Sequence, residues 1–159
     1  GVLTILLIAH FALQLLLPFR FALYPGKLFW TEQGYRFSWR VMLMEKAGYT
    51  TFYIHNPKTD ESWQVSGYEY LTPNQEKMMS TQPDMILQFA HYLEREYQKK
   101  GIEDTEITAE AYVTLNGKRS SLMIDPTVDL TEQEQGFARK EWILPYPDNE
   151  KTWIGSQKQ

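Results

Sequence analysis

Hydrophobic and polar positions follow three different rhythms along the chain. The first is an unbroken apolar run, VLTILLIAHFALQLLL from Val2 to Leu17, interrupted only by Thr4, His10 and Gln14 and stopped by Pro18. As a helix its sixteen residues would span about 24 Å, short of a hydrocarbon core of about 30 Å. A signal peptide requires a basic start and a small-residue cleavage site, and the run has neither. A buried core helix would carry a fuller polar stripe. The end of a transmembrane helix fits the run best. The segment after Pro18 is aromatic and cationic: Phe19, Phe21, Tyr24, Phe29 and Trp30 with Arg20 and Lys27 read as a belt at headgroup level, and Pro25-Gly26 as a turn.

The second rhythm has period two. In Arg36–Glu45, Phe37, Trp39, Val41 and Leu43 alternate with Arg36, Ser38, Arg40 and Met42, predicting a strand. Thr50–His55 and Trp63–Ser66, separated by the polar stretch NPKTDES, predict a hairpin. Ile107, Ala109, Ala111, Val113 and Leu115 predict a further strand, Asn116-Gly117 its turn, and SSLMID the return. FARKEWILPYP predicts the last strand. The third rhythm is helical. Thr72-Pro73-Asn74-Gln75 is a capping box with proline in the first turn, opening a short helix that ends near Ser80. Pro83 opens a longer one with Ile86, Phe89, Ala90, Leu93 and Tyr97 on one face, His91 off that face, and Gly101 as its stop. The predicted fold is α+β: an antiparallel β-rich domain with one long and one short capped helix, after the end of a membrane helix. Residues 1–24 form the membrane and interfacial part, 25–147 the β-rich domain, and 148–159 a tail of little pattern.

Composition narrows the chemistry. The chain has 159 residues, 43% of them hydrophobic and 23% charged, with a net charge of −4. That is a globular composition, and the negative balance disfavours a nucleic-acid binder. Arg20 is the single charge in residues 1–24, so the remainder carries 15 basic and 20 acidic residues, a net −5. With no cysteine there is no disulfide, thiolate zinc site or cysteine nucleophile. His10, His55 and His91 lack metal-ligand spacing. No nucleophile elbow, P-loop or dinucleotide fingerprint occurs.

Two constellations remain. Asp125 and Asp129 in DPTVD could hold a cation, but Pro126 disfavours a shared helix face and favours an Asx-turn closing a strand. In WTEQGYRFSWR, Trp30, Tyr35, Phe37 and Trp39 accompany Arg36, Arg40 and Ser38. Aromatic walls with guanidinium groups suit a carboxylate-bearing peptide. Composition alone favours a strand whose rings face a core.

The segments LPFRFALYPGKLFWTEQGYRFSWRVML, QPDMILQFAHYL, VTLNGKRSSLMIDPTVDL and EWILPYP, in this order, resemble the vitamin K-dependent γ-glutamyl carboxylase family from about Leu17 to Pro147. W-T-x-x-G-Y-x-F-S-W together with D-P-x-V-D-L is the specific combination. The chain looks like the C-terminal, non-cytoplasmic part of a bacterial member, on the periplasmic side, after its last membrane helix. The resemblance implies a multi-span membrane enzyme that oxidises reduced vitamin K with O2, abstracts a γ-proton from a substrate glutamate and adds CO2. The family's lysine base belongs to the membrane portion, so the resemblance assigns no lysine here that role and implies that this part alone is inactive and binds no cofactor itself. It places Trp30, Tyr35, Ser38 and Trp39 at substrate-binding positions. Arg36 and Arg40 as carboxylate contacts are an inference from the residues. Animal members carry Gly and Tyr at the positions of Arg36 and Phe37, His at Met44, and a disulfide cysteine at Tyr92.

Implied partners are the membrane, the membrane portion of the same protein and a glutamate-containing peptide. The rival reading is a non-catalytic periplasmic peptide- or carboxylate-binding module tethered by the first helix. A third, a β-domain that only stabilises a membrane bundle, predicts Trp30 and Trp39 both buried with no groove beside them.

Overall fold

A computed structural model describes residues 1–41 and 43–147; the predicted tail lies outside the described residues. The apolar run forms α1 (Val2–Leu16), none of whose residues is buried. The prediction that the span ends at Pro18 is corrected, because the chain tightens there into a 3-10 segment, Leu17–Leu23. Proline fits its first turn, where no donor N–H is needed. Together Val2–Leu23 is long and apolar enough to cross a membrane by length and composition. At about 1.5 Å per α residue and 2.0 Å per 3-10 residue it reaches roughly 36 Å.

The body is an antiparallel four-stranded sheet in the order β2-β1-β3-β4, made of β1 (Lys46–Asn56), β2 (Glu61–Ser66), β3 (Glu106–Leu115) and β4 (Ser121–Leu122). This is the predicted α+β class. Register pairs Phe52 with Ala109 and Ile54 with Ile107, placing their side chains on one face. Every second residue of β3, from Ile107 to Leu115, is buried there. The capping box forms as predicted in α3 (Pro73–Met79), with Thr72 and Gln75 satisfying each other's backbone donors. The long helix, α4 (Pro83–Lys99), lays Ile86, Leu87, Phe89, Ala90, Leu93 and Tyr97 into the core. Asn116 and Gly117 both take positive φ, as a two-residue hairpin turn requires.

Three predicted strands are corrected. Arg36–Glu45 contains no strand among its described residues, and Phe37, Trp39, Val41 and Leu43 all lie exposed. Phe37 takes φ 67°, which ends any extended path there. The return after the hairpin is only Ser121–Leu122. FARKEWILPYP makes a single bridge, Ile124 with Ile143, because its backbone bonds go to separate places and its prolines bring no donor. Leu144 N–H donates to the Met123 carbonyl (2.9 Å), and Trp142 O accepts from Asp125 N–H (2.9 Å). This stretch is a strap across the domain.

Candidate functional site

The aromatic segment divides at Gly34. On the N-terminal side, α2 (Leu28–Thr31) buries Trp30 completely. Its indole N–H donates to the Leu144 carbonyl at 2.8 Å, and the ring meets Tyr146 edge-on at 4.9 Å. Trp30 is therefore a core residue that ties the strap to the domain, which corrects its place in the interfacial belt. Glu32 leaves α2 in the left-handed region, with φ 54°. Its carboxylate pairs at 2.6 Å with Lys46, whose side chain is 5% exposed, and Lys46 also donates to the Trp30 carbonyl at 3.1 Å. Burial is the leading influence on both partners. It raises Glu32 above the usual carboxylate range and lowers Lys46 below the usual lysine range, while their mutual attraction opposes both shifts.

Gly34 has φ 74°, and a Cβ there would lie 2.7 Å from the Phe21 backbone. No other residue allows that approach to the 3-10 segment without displacement. Beyond it the chain turns outward. Tyr35 donates from its hydroxyl to the Arg40 carbonyl (3.1 Å), and Ser38 N–H donates to the Tyr35 carbonyl (2.9 Å), closing residues 35–40 into a compact loop. At its tip Phe37 and Trp39 are 74% and 68% exposed. Trp39 meets Phe19 edge-on at 5.8 Å, and the Arg40 guanidinium lies 4.2 Å above Phe21, so the loop rests on the end of the apolar helix. Ser38 Oγ is buried and has no hydrogen-bond partner. A large side chain at positive φ costs about 1 kcal/mol or more, strain of a kind that gathers at working loops.

On the other side of the same turn is a cavity of about 330 Å³ between the 3-10 segment, α4 and the strap. Arg20, Glu32, Arg36, Asp84 and Lys140 give it a charged wall. Arg36 pairs with Asp84 across its mouth. Gln33 fixes the wall by accepting the Lys140 backbone N–H at 2.9 Å, and Tyr24 donates to the Phe137 carbonyl at 2.6 Å. Burial holds the Lys140 ammonium below the usual lysine range, with Asp84 opposing and Arg36 reinforcing that effect. Of these wall residues, sequence reading marked only Arg36 as a candidate contact. Arg20, Asp84 and Lys140 come from three distant stretches, and no local motif joins them.

The remaining candidates sit elsewhere. Asp125 Oδ1 accepts from Thr127 N–H and hydroxyl (2.9 and 2.7 Å), and Asp129 Oδ1 accepts from Thr131 in the same way and from Ile107 N–H. Both are Asx turns, the first bonded to the strap through Trp142 and the second to β3 through Ile107. His55 bonds Ser62, and His91 Nε2 lies 2.8 Å from the Gln133 carbonyl. Among the described residues no group of three or more His, Asp or Glu side chains could hold a metal.

The family model for the vitamin K-dependent gamma-carboxylase lumenal domain matches residues 1–149. The chain belongs to this family. No solved structure matches it. Family membership makes the domain lumenal, on the non-cytoplasmic side, within a membrane-associated family that involves vitamin K and acts on glutamate-containing substrates. The charged cavity does not fit the quinone itself, since an apolar ring system with a hydrocarbon tail would leave its ion pairs and donors unsatisfied.

Proposed function

We propose that this lumenal carboxylase domain is the substrate-facing part of a bacterial, periplasmic-side membrane enzyme, and that the loop 35–40 receives a glutamyl side chain. The observation that carries this reading is the loop itself: two exposed rings on a strained, internally bonded turn beside the end of the apolar helix. Phe37 and Trp39 wall off water, which matters because a carbanion in contact with water is quenched. The buried, unpartnered Ser38 hydroxyl donates to the substrate carboxyl. Arg40, at one end of the tip, draws the anion in, and Arg36, at the other end, reaches it by exchanging its pairing with Asp84 for the substrate carboxylate. Tyr35 holds the loop closed through Arg40, and Trp30 positions it from the core. The chemistry that reduced vitamin K, O2 and CO2 supply is assigned to the membrane portion of the same protein, as is the base.

The test uses the full-length membrane protein with a quinol, labelled CO2 and a glutamyl peptide. Trp39→Ala is expected to lower kcat/KM for the peptide at least tenfold with the fold intact. Unchanged turnover in a folded Trp39→Ala protein removes the loop from the substrate path. If folded, quinone-replete protein gives neither epoxide nor fixed CO2, the tethered carboxylate-binding module becomes the better account.

A further inference from the structure

We infer that the outward face of the sheet is a docking surface for an arginine-bearing segment of a partner protein, with the Glu110 carboxylate as the anchor for one guanidinium. The other face of β1 and β3 is core, so their alternate residues stand on this side. Register sets Tyr49 opposite Tyr112, Thr51 opposite Glu110, and Tyr53 opposite Thr108. Tyr49 and Tyr112 stack with ring centres 5.6 Å apart, and the Tyr53 hydroxyl donates to Glu110 Oε2 at 3.3 Å. Glu110 therefore sits between a stacked pair of rings and a third ring. Tyr49 and Tyr53 are both exposed. Tyrosine is enriched where proteins bind one another, because it offers a large, stiff contact area with a polar tip.

Charge decides the kind of partner. The outward positions of the four strands include Glu106 and Glu110 and no lysine or arginine. Neither carboxylate has an ion-pair partner among the described residues, and Glu110 Oε1 carries no hydrogen bond there. An acidic segment is repelled by such a face, so this is not a second place for a glutamyl substrate. A lysine would meet Glu110 as a point charge alone. An arginine pairs with the carboxylate and lays its planar guanidinium on a tyrosine ring at the same time. Glu106 and Glu110 are four residues apart on β3, about 13 Å at 3.3 Å per residue, so two arginines at that spacing on an extended segment meet both. The surface shares no residue with loop 35–40 or with the charged cavity, and it stands whether or not that loop receives a glutamyl side chain.

The probe is a five-residue peptide, blocked at both termini, with arginine at each end and serine and threonine between. It is titrated calorimetrically into the full-length protein in detergent at low ionic strength. Saturable binding is expected, weakened at least tenfold by Glu110→Gln and at least threefold by Tyr49→Ser, both exposed-face changes that leave the core untouched. The same peptide with lysine at each end should bind at least fivefold more weakly, and a glutamyl peptide at equal concentration should not displace the probe. Absence of saturable binding overturns the inference, as does unchanged affinity in folded Glu110→Gln protein. Displacement by the glutamyl peptide places the probe in the substrate path and overturns a separate surface. Equal affinity for the arginine and lysine peptides overturns the role of the tyrosines and leaves only the general attraction of a cationic peptide to a negatively charged chain.

Discussion

Residues 107–115 and 37–43 carry the same alternation of apolar and polar positions, yet only the first is a strand. In β3 the apolar set lies under α4, and hydrogen-bonded neighbours flank the strand on both sides. In the second segment the apolar set stands exposed beside the end of α1, in a loop that Tyr35 and Ser38 close upon itself. Period two therefore marks residues that share a face, and whether that face is in a sheet depends on a partner the segment does not encode. The buried half of the aromatic segment builds the domain. The exposed half is free to do something else.

Matched substitutions break this comparison most sharply. Val113→Asp puts an unpaired carboxylate into the buried core and should cost more than about 4 kcal/mol, enough to prevent folding. Val41→Asp makes the same chemical change on the exposed face and should shift stability by no more than about 0.5 kcal/mol. Denaturant unfolding in detergent, followed by tryptophan fluorescence, compares them directly. Equal penalties would mean that residues 37–43 are packed as tightly as β3.

Much of the body was legible because local signals and tertiary demands agree there. The Thr72–Gln75 box, the Asn116-Gly117 turn and the alternating stripe of β3 each specify their element within a few residues. The strap and the charged cavity were not legible. The strap's bonds to Met123, Asp125 and Trp30 join residues far apart in sequence, and its residues have no repeating pattern. The cavity needs Arg20, Asp84 and Lys140 to converge, which topology alone decides. Phe37 misled for a further reason: nothing in its chemistry announces a positive φ.

The buried pair beneath the turn gives the next largest effect. Lys46→Met leaves Glu32 as an uncompensated buried charge and should cost about 3–5 kcal/mol, whereas Glu32→Gln with Lys46→Met should recover a large part of that loss. The pH dependence has a defined sign. Glu32 has a folded-state pKa above its ordinary 4.5, so its contribution is fully present below that value and is lost as pH rises through the raised one. Removing Lys46 takes away the attraction that opposes this shift, so the window widens upward. The deficit of Lys46→Met should therefore shrink over the range in which pH falls through the raised value, as Glu32 takes up a proton. A deficit that stays constant over that range would mean that Glu32 escapes to solvent when its partner is lost.

Gly34 joins the two halves, and its replacement sharpens the comparison with the smallest loss of stability. Gly34→Ala places a methyl 2.7 Å from the Phe21 backbone, at a φ that disfavours any side chain. The chain can relieve the contact only by lifting the loop away from the 3-10 segment. Left-handed strain and overpacking together should cost about 2 kcal/mol, less than the loss of Lys46. Because Trp30 and Glu32 are anchored ahead of the glycine, the displacement should fall on residues 35–40. Trp39 should then lose its contact with Phe19, and its fluorescence should shift to longer wavelength while that of Trp30 stays fixed. In full-length protein kcat/KM for a glutamyl peptide should fall by more than the fraction unfolded explains. If stability falls without either the spectral change or that excess loss of turnover, the glycine serves the core alone, and the division of the segment at position 34 is wrong.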